Sequence, residues 1–279
     1  MKLRISPNLL KAILAIAIVF SIGNGKSFSD TFLPGEQISG LWKGTVTIND
    51  SKVSDVLGLL DQYDNFSIIL DGDGLLDGYL RVLTSGDIDR NFSFLSWFGY
   101  TGRLVDTFGY DQGSMIPRSS ITATLSNGNP FIEQNISLNL TFDQSYYRSS
   151  SFALISDSWV YKLGTYILNI TIDSNGNLQG SDTYGCSYSG NLSILNANYN
   201  LYRVDIDIHS CYPSTVSTRG LATLTDTYEK NDTLIYAVTG YVAPLARHAF
   251  TEQLTRKNVI PPPEQQPLQY LPFLPLLLD

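Results

Sequence analysis

The sequence predicts an all-β protein of antiparallel strands, closed as one barrel or built as two adjoining small β-barrel or sandwich units. Three observations carry this. Apolar and polar residues alternate with period two in segment after segment, so each strand buries one face. Gly and Asn separate those segments at Asp71-Gly-Asp-Gly74, Ser126-Asn-Gly-Asn129 and Asp173-Ser-Asn-Gly176, where hairpin turns need positive φ. The 279 residues include 17 Tyr and 13 Phe against two Met, a composition that suits strands better than helices.

Residues 1–25 read as a secretory signal. Lys2 and Arg4 precede the apolar run Ala12–Phe20, and the small residues Ser21, Gly23 and Gly25 follow where a signal peptidase cuts. The run is shorter than the roughly 20 residues of a membrane helix. Lys2, Arg4 and Lys11 leave with this segment and no acid does, so the formal charge moves from −8 to −11. Such an acidic surface repels phosphate backbones and excludes nucleic acid as a partner.

Residues 26–37 read as a linker and 38–150 as an N-terminal β unit. Trp42, Val46 and Ile48 share one face, opposite Lys43, Thr45 and Thr47. Ile136, Leu138, Leu140 and Phe142 repeat the pattern. Ser51–Leu60 and Ser149–Val160 each fit either a turn or two of helix or a strand. Residues 151–257 form a C-terminal β unit, with inward series at Tyr166, Leu168, Ile170 and Ile172, at Tyr202, Val204, Ile206 and Ile208, and at Leu234, Tyr236 and Val238. Residues 258–279 form a Pro-rich disordered tail, because Pro261–Pro263, Pro267, Pro272 and Pro275 interrupt both helix and strand. The mature chain is therefore expected to hold no membrane span.

An internal repeat is legible. Asp71-x-Asp73-Gly74-x-Leu76-x-Gly78 matches Asp173-x-Asn175-Gly176-x-Leu178-x-Gly180 at an offset of 102. Either the chain is duplicated or two hairpins share turn chemistry.

Cys186 and Cys211 are the only cysteines. In an exported chain they favour a disulfide, worth roughly 3 kcal/mol by loop entropy. Strand parity opposes it: Cys186 lies inward with Tyr188, Leu192 and Ile194, whereas Cys211 shares the outward parity of Asp205, Asp207 and His209. The bridge therefore requires a change of face at His209-Ser210.

Chemical motifs are scarce. Asp71, Asp73 and Asp77 suggest calcium, but Leu75 breaks the EF-hand spacing and no Glu stands at the twelfth position, so a hairpin turn is the reading. His209 beside Asp205 and Asp207 could make an acid–base or metal site, or a charged surface strand. G-x-S-x-G, H-E-x-x-H and phosphate loops are absent from the sequence. No residue is expected to be catalytic, to bind a metal or to hold a cofactor.

The run Gly180-Ser-Asp-Thr-Tyr-Gly-Cys-Ser-Tyr-Ser-Gly190, with Asn200-Leu-Tyr-Arg-Val204 and Cys211, resembles a group of uncharacterised exported bacterial β-rich proteins. They share a G-C-x-aromatic-x-G hairpin, then N-x-Y-x-V and a second Cys. The resemblance covers residues 160–225 and implies export, to the periplasm, the outer surface or the medium. Gly40-Leu-Trp42 with Gly44 and Val46 is similar to the G-x-W opening strand of lipocalin-like barrels.

Two functions follow. The inward aromatics Trp42, Phe66, Tyr79, Tyr166, Tyr188, Tyr202 and Tyr236 either line a lumen for a small apolar or amphipathic ligand, or simply fill a core. The acidic, Asn/Thr-rich outer faces suit an envelope component that binds other envelope components or is purely structural. A hydrolase would have no recognisable motif behind it.

Overall fold

The computed structural model describes residues 31–259, apart from 51, 72–73, 92, 100–101, 129–133, 212–214 and 243–245. The expected signal and nearly all of the expected tail lie outside the described residues.

The chain forms two adjoining antiparallel barrels of eight strands each. The first comprises β1 (Gly40–Ile48), β2 (Lys52–Leu60), β3 (Asn65–Leu70), β4 (Gly74–Tyr79), β5 (Phe94–Phe98), β6 (Leu104–Ile116), β7 (Ser120–Ser126) and β8 (Asn135–Phe142). The second comprises β9 (Asp157–Leu163), β10 (Tyr166–Ile172), β11 (Asn177–Asp182), β12 (Ser187–Ile194), β13 (Tyr202–His209), β14 (Val216–Thr225), β15 (Thr233–Val242) and β16 (Ala246–Arg256). Strands follow one another around each barrel in chain order. The ambiguous Ser51–Leu60 segment is β2. Ser149–Val160 divides into a one-turn helix and the start of β9.

A short helix closes one end of each barrel: α1 (Gly35–Ile38) and α2 (Phe152–Ile155). Each ends in Ile-Ser-x-x-Trp, giving Ile38-Ser39-x-x-Trp42 and Ile155-Ser156-x-x-Trp159. Both Ile side chains and both indoles are buried. In each, the serine N–H donates back into the helix, Ser39 to Gly35 and Ser156 to Phe152, both at 2.8 Å.

The barrels share one strand plan, but their matching positions do not lie at the offset of 102. The Asp71 turn joins β3 to β4 and the Asp173 turn joins β10 to β11, so they lie at opposite barrel ends and share only turn chemistry. The true counterpart of the Asp173 turn is Asp61–Asn65, 112 residues earlier. In both turns the leading aspartate accepts the N–H groups two and four residues on, and an Asn side chain closes the loop at 2.8 Å. Asp64 (φ 70°) and Gly176 (φ 85°) stand at the same left-handed position. Gly78 and Gly190 also correspond, and a Cβ at either would lie 2.0 Å from a neighbouring carbonyl oxygen, that of Phe94 or Asp205.

The barrels pack wall to wall within one compact unit. Outward residues of the first barrel, Leu41, Leu59 and Leu75, are buried against Leu201, Leu221, Ala237 and Ala249 of the second. Asp77 joins the contact, accepting from Ser67 at 2.6 Å, Thr239 at 3.1 Å and Arg247 at 3.3 Å. Both faces of β2 and β4 are therefore covered. This blurs their alternation into Leu57-Gly-Leu-Leu60 and Leu75-Leu76, as in any strand buried on both sides.

The barrels differ at their closing seams. In the first, β1 pairs with β8 continuously from Trp42–Phe142 to Ile48–Ile136. In the second, β9 pairs with β16 only at Val160–Thr255 and Trp159–Arg256, supplemented by the bond from Lys257 N–H to Ser158. Among the described residues the β9–β16 ladder ends at Val160.

Candidate ligand site in the second barrel and the inter-barrel cleft

The second lumen carries a polar layer near the end away from α2. It is built from Tyr166 on β10, Asp182 on β11, Tyr188 on β12, Tyr236 on β15 and Glu252 on β16. Tyr236 and Glu252 are directly paired across the ladder. The two barrels can be aligned through their pairing registers, Val56–Leu70 on Leu168–Asp182 and Trp42–Phe142 on Trp159–Arg256. The first barrel then holds Ser54, Leu70, Leu76, Ala123 and Leu138 at the corresponding positions, all buried.

Asp182 organises the layer. One oxygen accepts the N–H groups of Tyr184 at 2.9 Å and Cys186 at 3.0 Å. The other accepts the hydroxyls of Tyr188 at 2.8 Å and Tyr166 at 3.4 Å. Tyr184 stacks on Tyr166 with ring centroids 5.3 Å apart, at the lip of the lumen. The Cys186–Cys211 disulfide ties the same turn to the end of β13, with Cα atoms 4.9 Å apart. The change of face that parity demands occurs at Ser210, whose φ is +68°. Asp182, Cys186 and Cys211 cluster closely, but the bridged sulfurs have no thiolate to offer a metal.

Glu252 keeps some accessible surface but is deeply surrounded. Burial, then the nearby Asp182 charge, pushes its carboxyl up to about 8 from an ordinary 4.5. Burial is also the main cause that raises the Tyr166, Tyr188 and Tyr236 phenols above their usual range. The space enclosed by this layer is small, about 40 Å3.

A larger cleft of about 610 Å3 lies between the barrels. Lys43, Thr45, Leu57, Ile69 and Thr141 line its first-barrel side; Thr225, Ile235, Thr251 and Gln253 line the other. Tyr161 and Glu252 also line it, although both stand at lumen positions. Glu252 therefore borders both spaces, beside the point where the β9–β16 ladder ends.

The seven aromatics expected to line a lumen fall into four groups. Tyr166, Tyr188 and Tyr236 meet in the polar layer. Tyr202 lies deeper, its hydroxyl 3.2 Å from Ser151 N at the closed end. Trp42 and Phe66 are fully buried in the first barrel's core. Tyr79 is 45% exposed, contrary to the inward expectation. On β4 the inward parity belongs to Leu76 and Gly78, and Tyr79 packs outside against Phe94 at 5.5 Å.

Sequence reasoning missed Glu252 and Asp182. The available signal was a carboxylate at inward parity between Phe250 and Leu254. His209 is an outer-face residue held by Ser189 at 3.0 Å and Thr215 at 2.9 Å, while Asp205 pairs with Arg219 and Asp207 accepts from Ser217. The three do not converge. Asp73 of the expected Gly-loop carboxylates lies outside the described residues.

No family model and no curated protein matches the chain. Among solved structures it is similar to a protein from Bacteroides fragilis described as a "putative outer membrane protein", at 13% identity. The match covers 80% of this chain and 99% of that one, with a TM-score of 0.27.

Proposed function

We propose that this is an exported cell-envelope binding protein that takes a small amphipathic ligand into the inter-barrel cleft, with the open seam of the second barrel as the inner end of the site. The cleft carries this reading. Its volume of about 610 Å3 falls in the range of small-molecule sites, whereas the lumen layer alone, at about 40 Å3, holds only a water or two. The binding reading of the sequence thus moves from the lumen to the wall between the barrels.

Export is supported by the disulfide, which persists in oxidising compartments. No described helix is long and apolar enough to cross a membrane. Outward positions of the second barrel carry Asn169, Thr171, Gln179, Ser189, Asp207 and Arg219, the reverse of the apolar outer band of a membrane barrel.

Native mass spectrometry of protein purified from its own host, paired with uptake of the neutral dye Nile red, tests the reading. A retained small molecule that Nile red displaces is the expected result. An apo mass together with no dye uptake would refute it.

A further inference from the structure

We propose that the ligand is an organic amine in its protonated form, its ammonium head seated among Glu252, Tyr166, Tyr188 and Tyr236 and its chain lying in the inter-barrel cleft. This rests on the cleft being the binding site and adds the chemistry of the head group.

The polar layer offers carboxyl and phenol oxygens but no cation. The described residues lining the enclosed space include Asp182 and Glu252 but no Lys, Arg or His. Tyr166 and Tyr188 both direct their hydroxyl protons at Asp182, which leaves their oxygens able to accept. The Tyr236 hydroxyl and the Glu252 carboxyl have no hydrogen-bond partner among the described residues, and Tyr236 is only 5% exposed. Both are therefore open to a polar group that enters the space. An ammonium group supplies what is missing: three donors and a positive charge. The three tyrosine rings add the electron-rich faces that attract such a cation.

Space and charge agree. About 40 Å3 admits a head the size of one or two waters but not a whole ligand. The rest must leave the barrel, and the route lies past the end of the β9–β16 ladder, where Glu252 borders both spaces. Beyond it, Leu57, Ile69 and Ile235 offer an apolar track. The cleft's charged groups are Lys43, already bound to Asp143 at 2.6 Å, together with Asp55, Asp71 and Asp226, the last bound to Arg148. That balance attracts a cation. The first barrel, with aliphatic residues and Ser54 at these positions, has no such head site.

Before binding, the Glu252 acid is kept protonated by burial and by Asp182. When the ammonium arrives, the carboxyl O–H proton passes to solvent and the carboxylate pairs with the cation. Binding therefore releases a proton near neutral pH.

Calorimetry of the full, disulfide-intact mature chain with octylamine, octanol and octanoate, in two buffers of different ionisation enthalpy at pH 6.5, tests this. Octylamine is expected to bind at least about ten-fold more tightly than the other two, with release approaching one proton. Glu252→Gln should lose about ten-fold in affinity and all proton release. Tyr236→Phe, which keeps the ring and the fold, should lose a few-fold. Octanol binding as well as octylamine, or an unchanged affinity in Glu252→Gln, overturns the amine head site while Nile red uptake leaves the cleft reading standing. Thermal protection by potassium chloride equal to that by octylamine overturns it in favour of an inorganic-cation site. Loss of Nile red uptake as well takes the cleft reading with it.

Discussion

The two barrels share strand order, the closing helix, the Ile-Ser-x-x-Trp entry and the Asp-led turn, yet they close differently. In the first barrel Phe142 lies edge-on to Trp42 at 5.4 Å, and Arg118 reaches from the β6–β7 turn to the Ser39 and Glu36 carbonyls. In the second, Arg256 on the last strand covers Trp159 at 4.7 Å and itself reaches the Leu154 carbonyl. The Trp159 indole N–H donates to Ile155 at 2.9 Å, whereas the Trp42 N–H has no acceptor among the described residues. The first barrel has a complete seam and an apolar core. The second has a short seam, a polar layer and a disulfide. A closed ladder and a dry core stabilise a barrel without assistance. A barrel that is opened and made polar on one side needs other constraints, and here the covalent link sits at the lip of the polar layer.

Removing the tryptophans should have the largest effect. Trp42→Ala and Trp159→Ala should each cost about 3–5 kcal/mol in urea unfolding. The second should cost about 1 kcal/mol more, since it also strands the Ile155 carbonyl. Equal losses would mean that the Arg256 and Phe142 closures are energetically equivalent.

The paired replacement of Cys186 and Cys211 by Ser should cost about 3 kcal/mol. Faster hydrogen exchange is expected in β11–β13, with β1–β8 unchanged. Acceleration spread over both barrels would show that the bridge supports the whole unit rather than the polar layer.

Glu252→Gln should stabilise the protein at alkaline pH and leave it nearly unchanged at pH 4. The folded acid keeps its proton up to about pH 8, while the unfolded chain releases it near 4.5. Folding thus binds a proton in that window, and stability falls as pH rises through it. At pH 9 the gain should be about 2 kcal/mol, after discounting for solvent that reaches the cleft. A thermal-melt difference independent of pH would contradict this, and Leu138→Gln in the first barrel should destabilise at every pH.

The smallest effect belongs to the helix caps. Ser151 Oγ accepts the Leu154 N–H at 3.3 Å, whereas Pro34 before α1 has no side-chain cap. Ser151→Ala should cost about 1 kcal/mol, measured by chemical denaturation, and Pro34→Ser should stabilise the first barrel by a similar or smaller amount.

Much of the second barrel was legible in its sequence. β10 and β13 alternate cleanly because one face meets the core and the other meets water or polar neighbours. The Ser210 reversal was legible too, since two cysteines of opposite parity can meet only through a change of face. The first barrel was harder to read. β2 and β4 are apolar on both faces because a second barrel covers the outer one, and the placement of Tyr79 went wrong for that reason. The true repeat was hidden because its matches are geometric, as with Asp64 and Gly176 at one φ, rather than identical in residue type. Glu252 was hidden among the charges of a mixed strand, since only closure of the ladder aims it inward.

By itself the sequence determined the all-β class, the inward face of most strands, the turns and the partner cysteine. All of these depend on residues a few positions apart, where a period of two and the φ preferences of Gly, Asn and Asp act directly. The tertiary structure decided the number of barrels, the length of each seam, the packing of wall on wall and the carboxyl between lumen and cleft. Those depend on which distant strands pair and where the ladder stops, and local alternation is the same whether a strand's neighbour is its own barrel or the next.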